Sequence, residues 1–376
     1  MSLILIVAAL SGCRAQQPWP LWEAYTKRFL DDQGRIIDRS AGDRTTSEGQ
    51  AYAMFFALVD NDRAHFEKLL QWTEENLADG DLTLHLPAWS WGRNGSGQWR
   101  TIDDNSASDA DVWMAYDLLE AGRLWHEPRY DKLGRQLAER IARQDVVLIQ
   151  GVGTTLAPGP RGFHPDEQTW VVNPSYLALS PLVLLANRFP QGPWSAVVDS
   201  MPALVGGETS HGFAMDWLSA GPAGVHPSGP PVEPTTGARQ PRPAGSYDAI
   251  RVYLWLGLAD PGTRGRGRLV SALGGMTDAM RAAAVPPLEV GPEGSIRQAS
   301  GGVGFSSAVV PFLLASGLKS QAHSQQARVD SARDAGSSLY GPAGLYYDQN
   351  LALFSTGFLE HRYAFARDGS LRVKWK

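Results

Sequence analysis

One recurrence constrains this chain more than any other feature. From Pro20 onward, segments with apolar residues at i, i+3, i+4 and i+7 return repeatedly, separated by short turns rich in Gly, Pro, Asp and Asn. Roughly twelve can be traced, each of about 12 to 20 residues, the usual length of a globular helix. They begin near Leu21, Ser47, Arg63, Ser106, Tyr130, Pro174, Trp194, Tyr247, Gly265, Phe305, Gln321 and Asn350. Strand-like pieces are few and short, such as Val146 to Ile149 and Gly212 to Trp217. Several helices come as a more apolar member followed by a more charged one: MFFALVDND precedes RAHFEKLLQWTEENL, and VWMAYDLLEAGRLW precedes RYDKLGRQLAERIARQ. The first member reads as buried on most sides and the second as having one solvated face. Six such pairs predict an all-α fold, an (α/α)6 barrel with an inner ring of helices wrapped by an outer one. An irregular helical domain or an α-solenoid satisfies the periodicity equally well.

At 376 residues, with 43 % apolar and 19 % charged residues, the chain can bury a large core and is too weakly charged to be disordered. Thirty-four basic against 39 acidic residues give a net charge of −5, and no block of Lys or Arg follows a phosphate backbone, so nucleic acid is excluded as a partner. Thirteen Trp and eleven Tyr offer flat faces that stack on sugar rings as readily as they fill cores. Residues 1–15 read as an export signal and 16–376 as one domain. The apolar run MSLILIVAALSGC is too short to span a bilayer as a stable helix. Its LSGC end resembles the lipobox of bacterial lipoproteins, which makes Cys13 a candidate lipid anchor; ordinary cleavage after Cys13-Arg14-Ala15 is the alternative. Either route leads to the periplasm, the outer membrane or secretion, with membrane contact only through the N-terminal lipid. The stretch Gly221 to Gly245, dense in Pro and Gly, reads as a long loop near the segment that follows it.

Three carboxylates stand at the starts of three strongly apolar helices. They are Glu48 in TTSEGQAYAMFFAL, Asp109 in DDNSASDADVWMAYDLL, and Asp248 in GSYDAIRVYLWLGL. Thr45-x-x-Glu48 fits a capping box, and Asp109 and Asp248 suit the positive end of a helix dipole, so each alone reads as structural. If the three helices share one ring and one polarity, however, the carboxylates meet in one cleft, with Trp89, Trp91, Trp99 and Trp170 in loops around them. Other chemistries find no support. The eight His are scattered with no HExxH, which argues for no metal; no G-x-S-x-G elbow precedes a helix; and the only Cys lies in the leader. The Gly301 to Gly304 cluster fails the dinucleotide pattern because Ser307 takes the last glycine position.

The segment ASDADVWMAYDLLEAGRLW, from Ala107 to Trp125, resembles the signature of glycoside hydrolase family 8. SEGQAYAM and SYDAIRVYLW resemble that family's catalytic-acid and catalytic-base segments, in the family's order. Similarity extends from about Trp22 to the C-terminal region through AWSWG, NPSY and YYDQNLALFSTGF. Ser108 departs from the usual Thr but keeps the hydroxyl. The resemblance implies the (α/α)6 barrel, endo-hydrolysis of β-1,4-glucan with inversion, and no cofactor. It further implies Glu48 as proton donor, Asp248 as base, and Asp109 as the group that binds and helps distort the sugar. Arg251, one turn after Asp248, would hold the base ionised, and Tyr176, Trp91 and Trp113 would touch sugar. Desolvation and the charge of Asp109 are expected to outweigh the helix dipole at Glu48. The implied partners are cellulose chains and the bacterial cellulose synthase and secretion complex. Mixed-linkage glucan, xylan or chitosan specificity, or a non-catalytic glucan-binding component of that machinery, are the alternatives.

Overall fold

In the computed structural model, residues 18–205, 211–231 and 242–376 are described. The segment read as an export signal, Cys13 included, and the middle of the proline-rich stretch lie outside them. Among the described residues, thirteen α-helices run in chain order: α1 (Pro20–Phe29), α2 (Ser47–Val59), α3 (Arg63–Leu77), α4 (Ser108–Trp125), α5 (Pro128–Gln144), α6 (Leu179–Arg188), α7 (Trp194–Leu204), α8 (Ala249–Leu258), α9 (Arg266–Ala272), α10 (Gly274–Ala282), α11 (Val303–Ala315), α12 (Lys319–Ser331) and α13 (Tyr346–Leu359). Helices α2, α4, α6, α8, α11 and α13 pack each on the next, and α13 returns to α2, closing a ring of six. Outside it α3 packs on α2, α5 on α4, α7 on α6, α9 on α8, α12 on α11 and α1 on α13. This is the (α/α)6 barrel. The sequence dictates which helix goes where: all ten residues of α8 are buried, whereas α5 buries only Tyr130, Gly134, Leu137, Ala138 and Ile141 and turns its charged face to solvent.

Two predicted helices differ in detail. The segment near Gly265 breaks at Leu273 into α9 and α10, where the Gly275 amide donates to Gly212 O at 3.0 Å. The segment near Pro174 is one 3-10 turn, Pro174–Tyr176, before α6 starts at Leu179.

Strands are short but more numerous than expected. They are β1 (Thr45–Thr46), β2 (Ala88–Arg93), β3 (Trp99–Ser106), β4 (Val146–Ile149), β5 (Gly153–Leu156), β6 (Trp170–Val172), β7 (Trp217–Gly221), β8 (Gly224–Ser228), β9 (Glu289–Val290), β10 (Ile296–Gln298), β11 (Tyr363–Phe365) and β12 (Leu371–Val373). Trp91 and Trp99 therefore lie on the antiparallel β2–β3 pair, Trp89 on β2 and Trp170 on β6, not in loops. AWSWGR alternates in the period of a strand, and its burial alternates with it, which puts Trp89 and Trp91 on one face. Of Gly212 to Trp217 only Trp217 is strand, because the backbone at Asp216 is drawn into other bonds described below.

The barrel axis is filled by aromatic rings. Tyr52, Trp113, Trp255 and Phe354 come from four different inner helices, and every pair among them is in contact, at centroid distances from 4.9 to 6.1 Å. Each sits one turn below a polar residue on its own helix: Glu48, Asp109, Arg251 and Asn350 respectively. The four rings are a floor, and the polar residues stand on it.

Candidate active site

The N-terminal ends of the inner helices converge on one end of the barrel, and each presents its carboxyl differently. Glu48 is the second residue of α2, but it does not serve as a cap. Thr46 is the N-cap, its hydroxyl accepting from the Gly49 amide at 3.1 Å. Thr45, expected to form a capping box with Glu48, instead donates to Ile36 O at 2.6 Å and accepts from Arg35. Glu48 is thereby released to the cleft. Gly49 follows because a β-carbon there would collide with the Tyr346 hydroxyl. Asp109 lies in the first turn of α4, buried, with one oxygen accepting from the Ala110 amide at 2.8 Å. Asp248 is the N-cap residue of α8 yet caps nothing with its side chain. The amides of Ser246, Asp248 and Ala249 donate to Asp216 Oδ1 at 2.8, 3.1 and 2.8 Å, so a different carboxylate caps this helix.

Arg251 ties the three together. Its guanidinium donates through Nη1 to Glu48 and Asp109 and through Nη2 to Asp248 Oδ1 at 2.9 Å and Ser175 Oγ at 2.8 Å. It therefore faces all three carboxylates, not the base alone as expected. Burial by itself would discharge Arg251, but the neighbouring charges, Glu48 foremost, hold it protonated. Burial, followed by the charge of Glu48, pushes Asp109 up to about 8. Asp109 therefore keeps its proton at neutral pH, and it is hydrogen-bonded to Glu48. Burial also raises Asp248, against the pull of Arg251 and of donors from Asn173 and Trp217. Asp109 is almost sealed, whereas the side chains of Glu48 and Asp248 are 21 % and 32 % exposed, which makes these two the groups a ligand can reach.

The three carboxyls open into a cavity of about 310 Å³ also lined by Trp89, Tyr176, Tyr247 and Tyr347. A second cavity of about 480 Å³ continues it, sharing Trp89, Ala107 and Tyr176 and adding Phe163, Trp217, Pro230 and Pro231. The trench is thus aromatic along its length. The edge of the proline-rich stretch reaches its wall through Pro230 and Pro231. A larger hollow of about 580 Å³ at the opposite end of the barrel, lined by Val183, Arg264 and Arg367, gathers no comparable set of acids.

Tyr176 lies on the cleft wall, with the Arg251 guanidinium 5.9 Å from its ring. Two sugar-contact expectations are corrected. Trp113 is 1 % exposed and belongs to the floor: its position one turn below Asp109 points it into the barrel axis. Trp91 lines neither cavity, since its ring stacks on Trp99 at 5.2 Å and meets Trp72 edge-on, with Arg35 against it. Its neighbour Trp89 takes the wall position. Sequence reasoning also missed Asp216, Asn173 and Ser175. NPSY was visible as a motif, but nothing local marks Asp216, which acts on backbone some thirty residues away.

The sequence matches Glycosyl hydrolases family 8 over residues 2–361. It is 41 % identical to an endoglucanase of Xanthomonas axonopodis pv. citri, covering 100 % of this chain and 94 % of that protein. It is 38 % identical to an endoglucanase of Escherichia coli K12, over 99 % of this chain and 95 % of the relative. Among solved structures, the endo-1,4-D-glucanase of Vibrio fischeri ES114 superposes with a TM-score of 0.84 at 35 % identity, covering 95 % of this chain and 99 % of that one. With a closed double ring of helices, three carboxyls gathered on one arginine and similarity along nearly its whole length, this chain belongs to glycosyl hydrolase family 8.

Proposed function

We propose that this chain is an inverting endo-β-1,4-glucanase, with Glu48 as proton donor and Asp248 as base. One observation carries the assignment: a single buried guanidinium, that of Arg251, is bonded to carboxylates from two different helices that both face an aromatic trench. A guanidinium between the two carboxyls holds them apart, the arrangement that leaves room for a water on the far side of the sugar. Glu48 passes the proton of the Glu48–Asp109 pair to the leaving oxygen as the glycosidic bond breaks. Asp248 takes a proton from the water that attacks the anomeric carbon. Asp109, once its partner has given up the proton, remains as a buried acceptor against the sugar. The joined cavities extend well past one sugar ring, which supports cutting within a chain. The names of the relatives support β-1,4-glucan as the substrate.

Reducing-end release and viscosity loss on carboxymethylcellulose test the reading, with Glu48→Gln and Asp248→Asn checked by circular dichroism for an intact fold. Wild-type cleavage with activity down by about 10³-fold or more in both variants is the expected outcome. Cleavage of xylan, chitosan or mixed-linkage glucan in preference moves the specificity within the family. Binding of glucan with no cleavage of any of them overturns the enzymatic reading in favour of a glucan-binding role.

The leader motif supports a periplasmic enzyme, anchored through acylated Cys13 and working beside the machinery that makes and exports cellulose. An intact mass lacking a lipid, with an N-terminus beyond Cys13, removes the anchor from this picture.

A further inference from the structure

We propose that Asp216 and Trp217 act together as a clamp that positions the base Asp248, Asp216 through the backbone and Trp217 through the carboxylate. The inference rests on the assignment of Asp248 as base.

Helix α8 begins with the residue that must stay free to meet water. An Asp at an N-cap ordinarily turns its carboxylate back onto the first amides of its own helix. That posture would withdraw Asp248 from the cleft. Here the orphan amides are satisfied from outside: one oxygen, Asp216 Oδ1, accepts from Ser246, Asp248 and Ala249. With its own helix capped by another residue, Asp248 keeps both oxygens for the cleft, one of them on Arg251. The adjacent residue, Trp217, donates to the same Asp248 carboxylate from β7. Two successive residues thus grip the base from opposite ends, its main-chain amide and its side-chain oxygens.

The clamp is itself held rigidly. The Asp216 amide donates to Ala244 O at 2.8 Å, and Gly245 exchanges two hydrogen bonds with Val290, at 2.9 and 3.0 Å. One side of the segment is fixed by the Tyr253 hydroxyl, which accepts from the Ala214 amide at 2.9 Å. Tyr253 lies on α8 itself, so helix and clamp are joined at two levels. Trp217 is braced by Phe163, stacked at 6.0 Å with an interplanar angle of 6°. Asp216 lines neither cavity of the trench, which makes it a positioning residue. Misplacing a reacting group by about 1 Å costs on the order of 10²-fold in rate, and that is the scale at which the clamp acts.

The test compares Asp216→Ala, Asp216→Asn and Trp217→Phe in the full chain. Asn keeps an Oδ1 acceptor of the same reach; Phe keeps the stack on Phe163 and loses the N–H. On a soluble β-1,4-glucan, Asp216→Ala is expected to lower kcat about 10²-fold with KM within about threefold, and Asp216→Asn to recover most of the loss. Trp217→Phe is expected to lower kcat by about tenfold. A residue that merely stabilises the fold would lower the melting temperature and leave the kcat of the folded fraction unchanged, and that result overturns the proposal. Hydrogen exchange gives a second arm independent of activity. The amides of Ser246, Asp248 and Ala249 should lose protection in Asp216→Ala and keep it in Asp216→Asn. If wild type cleaves no glucan, the assignment of Asp248 has failed; unchanged protection in Asp216→Ala shows instead that the clamp itself is absent. Should the Ala variant not fold, the Asn and Phe variants decide: wild-type kcat in Trp217→Phe overturns the side-chain half.

Discussion

Arg251 Nη2 lies 2.9 Å from Asp248 Oδ1 one helical turn away, while Nη1 of the same guanidinium reaches Glu48 on the opposite wall of the cleft. The fork shape is what allows one cation to serve both. A lysine carries the charge but presents a single point. Arg251→Lys is therefore expected to lose on the order of 10²-fold in kcat/KM on a soluble glucan, with the fold retained by circular dichroism. Near-wild-type activity would show that charge alone suffices.

The proton that Asp109 holds against Glu48 sets the alkaline limb of the reaction. Asp109 is pushed up to about 8, and above that value it has no proton to relay, so kcat/KM should fall as pH rises through it. On the acid side the raised Asp248 takes up a proton and ceases to be a base, so the profile is a bell. A rate that stays flat from pH 7 to 10 would separate the donor from this pair.

Two aromatic positions should give opposite phenotypes. Trp113→Ala removes part of the floor and is expected to cost about 3–5 kcal/mol of stability by denaturant unfolding. Trp89→Ala should leave the melting temperature close to wild type and raise KM by roughly three- to tenfold, the worth of one stacked ring.

Away from the cleft, Asp111 and Asp145 form a buried acidic couple, and among the described residues neither carboxyl oxygen of Asp145 has a hydrogen-bond partner. Burial lifts Asp145 to about 7 from an ordinary 3.8. Between those values the folded chain binds more protons than the unfolded one, so stability falls as pH rises through the window. Asp145→Asn removes that loss. It should stabilise the protein at pH 8, by on the order of 1–3 kcal/mol, and change little at pH 4. Thermal melts of both proteins at the two values check the sign.

The fold was legible wherever helical periodicity and burial agree, as in α2, α4 and α8, whose apolar residues run almost without interruption. The three carboxyls were legible because each opens such a helix. What periodicity could not place was anything decided by direction. Trp91 and Trp89 share one strand face, and only the packing of Trp99 and Arg35 settles which of them meets the cleft. Trp113 lies inside a motif segment, but its spacing from Asp109 turns it into the axis. Asp216 was invisible for a different reason: its bonds are to main-chain amides, which carry no residue identity, across a gap in sequence no local pattern spans. The capping box at Thr45 failed by a single residue, because the hydroxyl of Thr46 took the cap and Thr45 was drawn to Ile36.

The four-ring floor has a consequence for how such a protein can diverge. Tyr52, Trp113, Trp255 and Phe354 are at once the bottom of the trench and the top of the hydrophobic core. Changing Tyr52, Trp113 or Trp255 shifts the helical turn that carries Glu48, Asp109 or Arg251, so the two roles cannot be varied separately. Freedom to acquire a new preference is left to the rim: the β2–β3 pair, Tyr247 at the mouth, and the loop entering through Pro230 and Pro231. The architecture behaves as an immovable anvil under interchangeable jaws, and descendants of this chain should differ at the jaws.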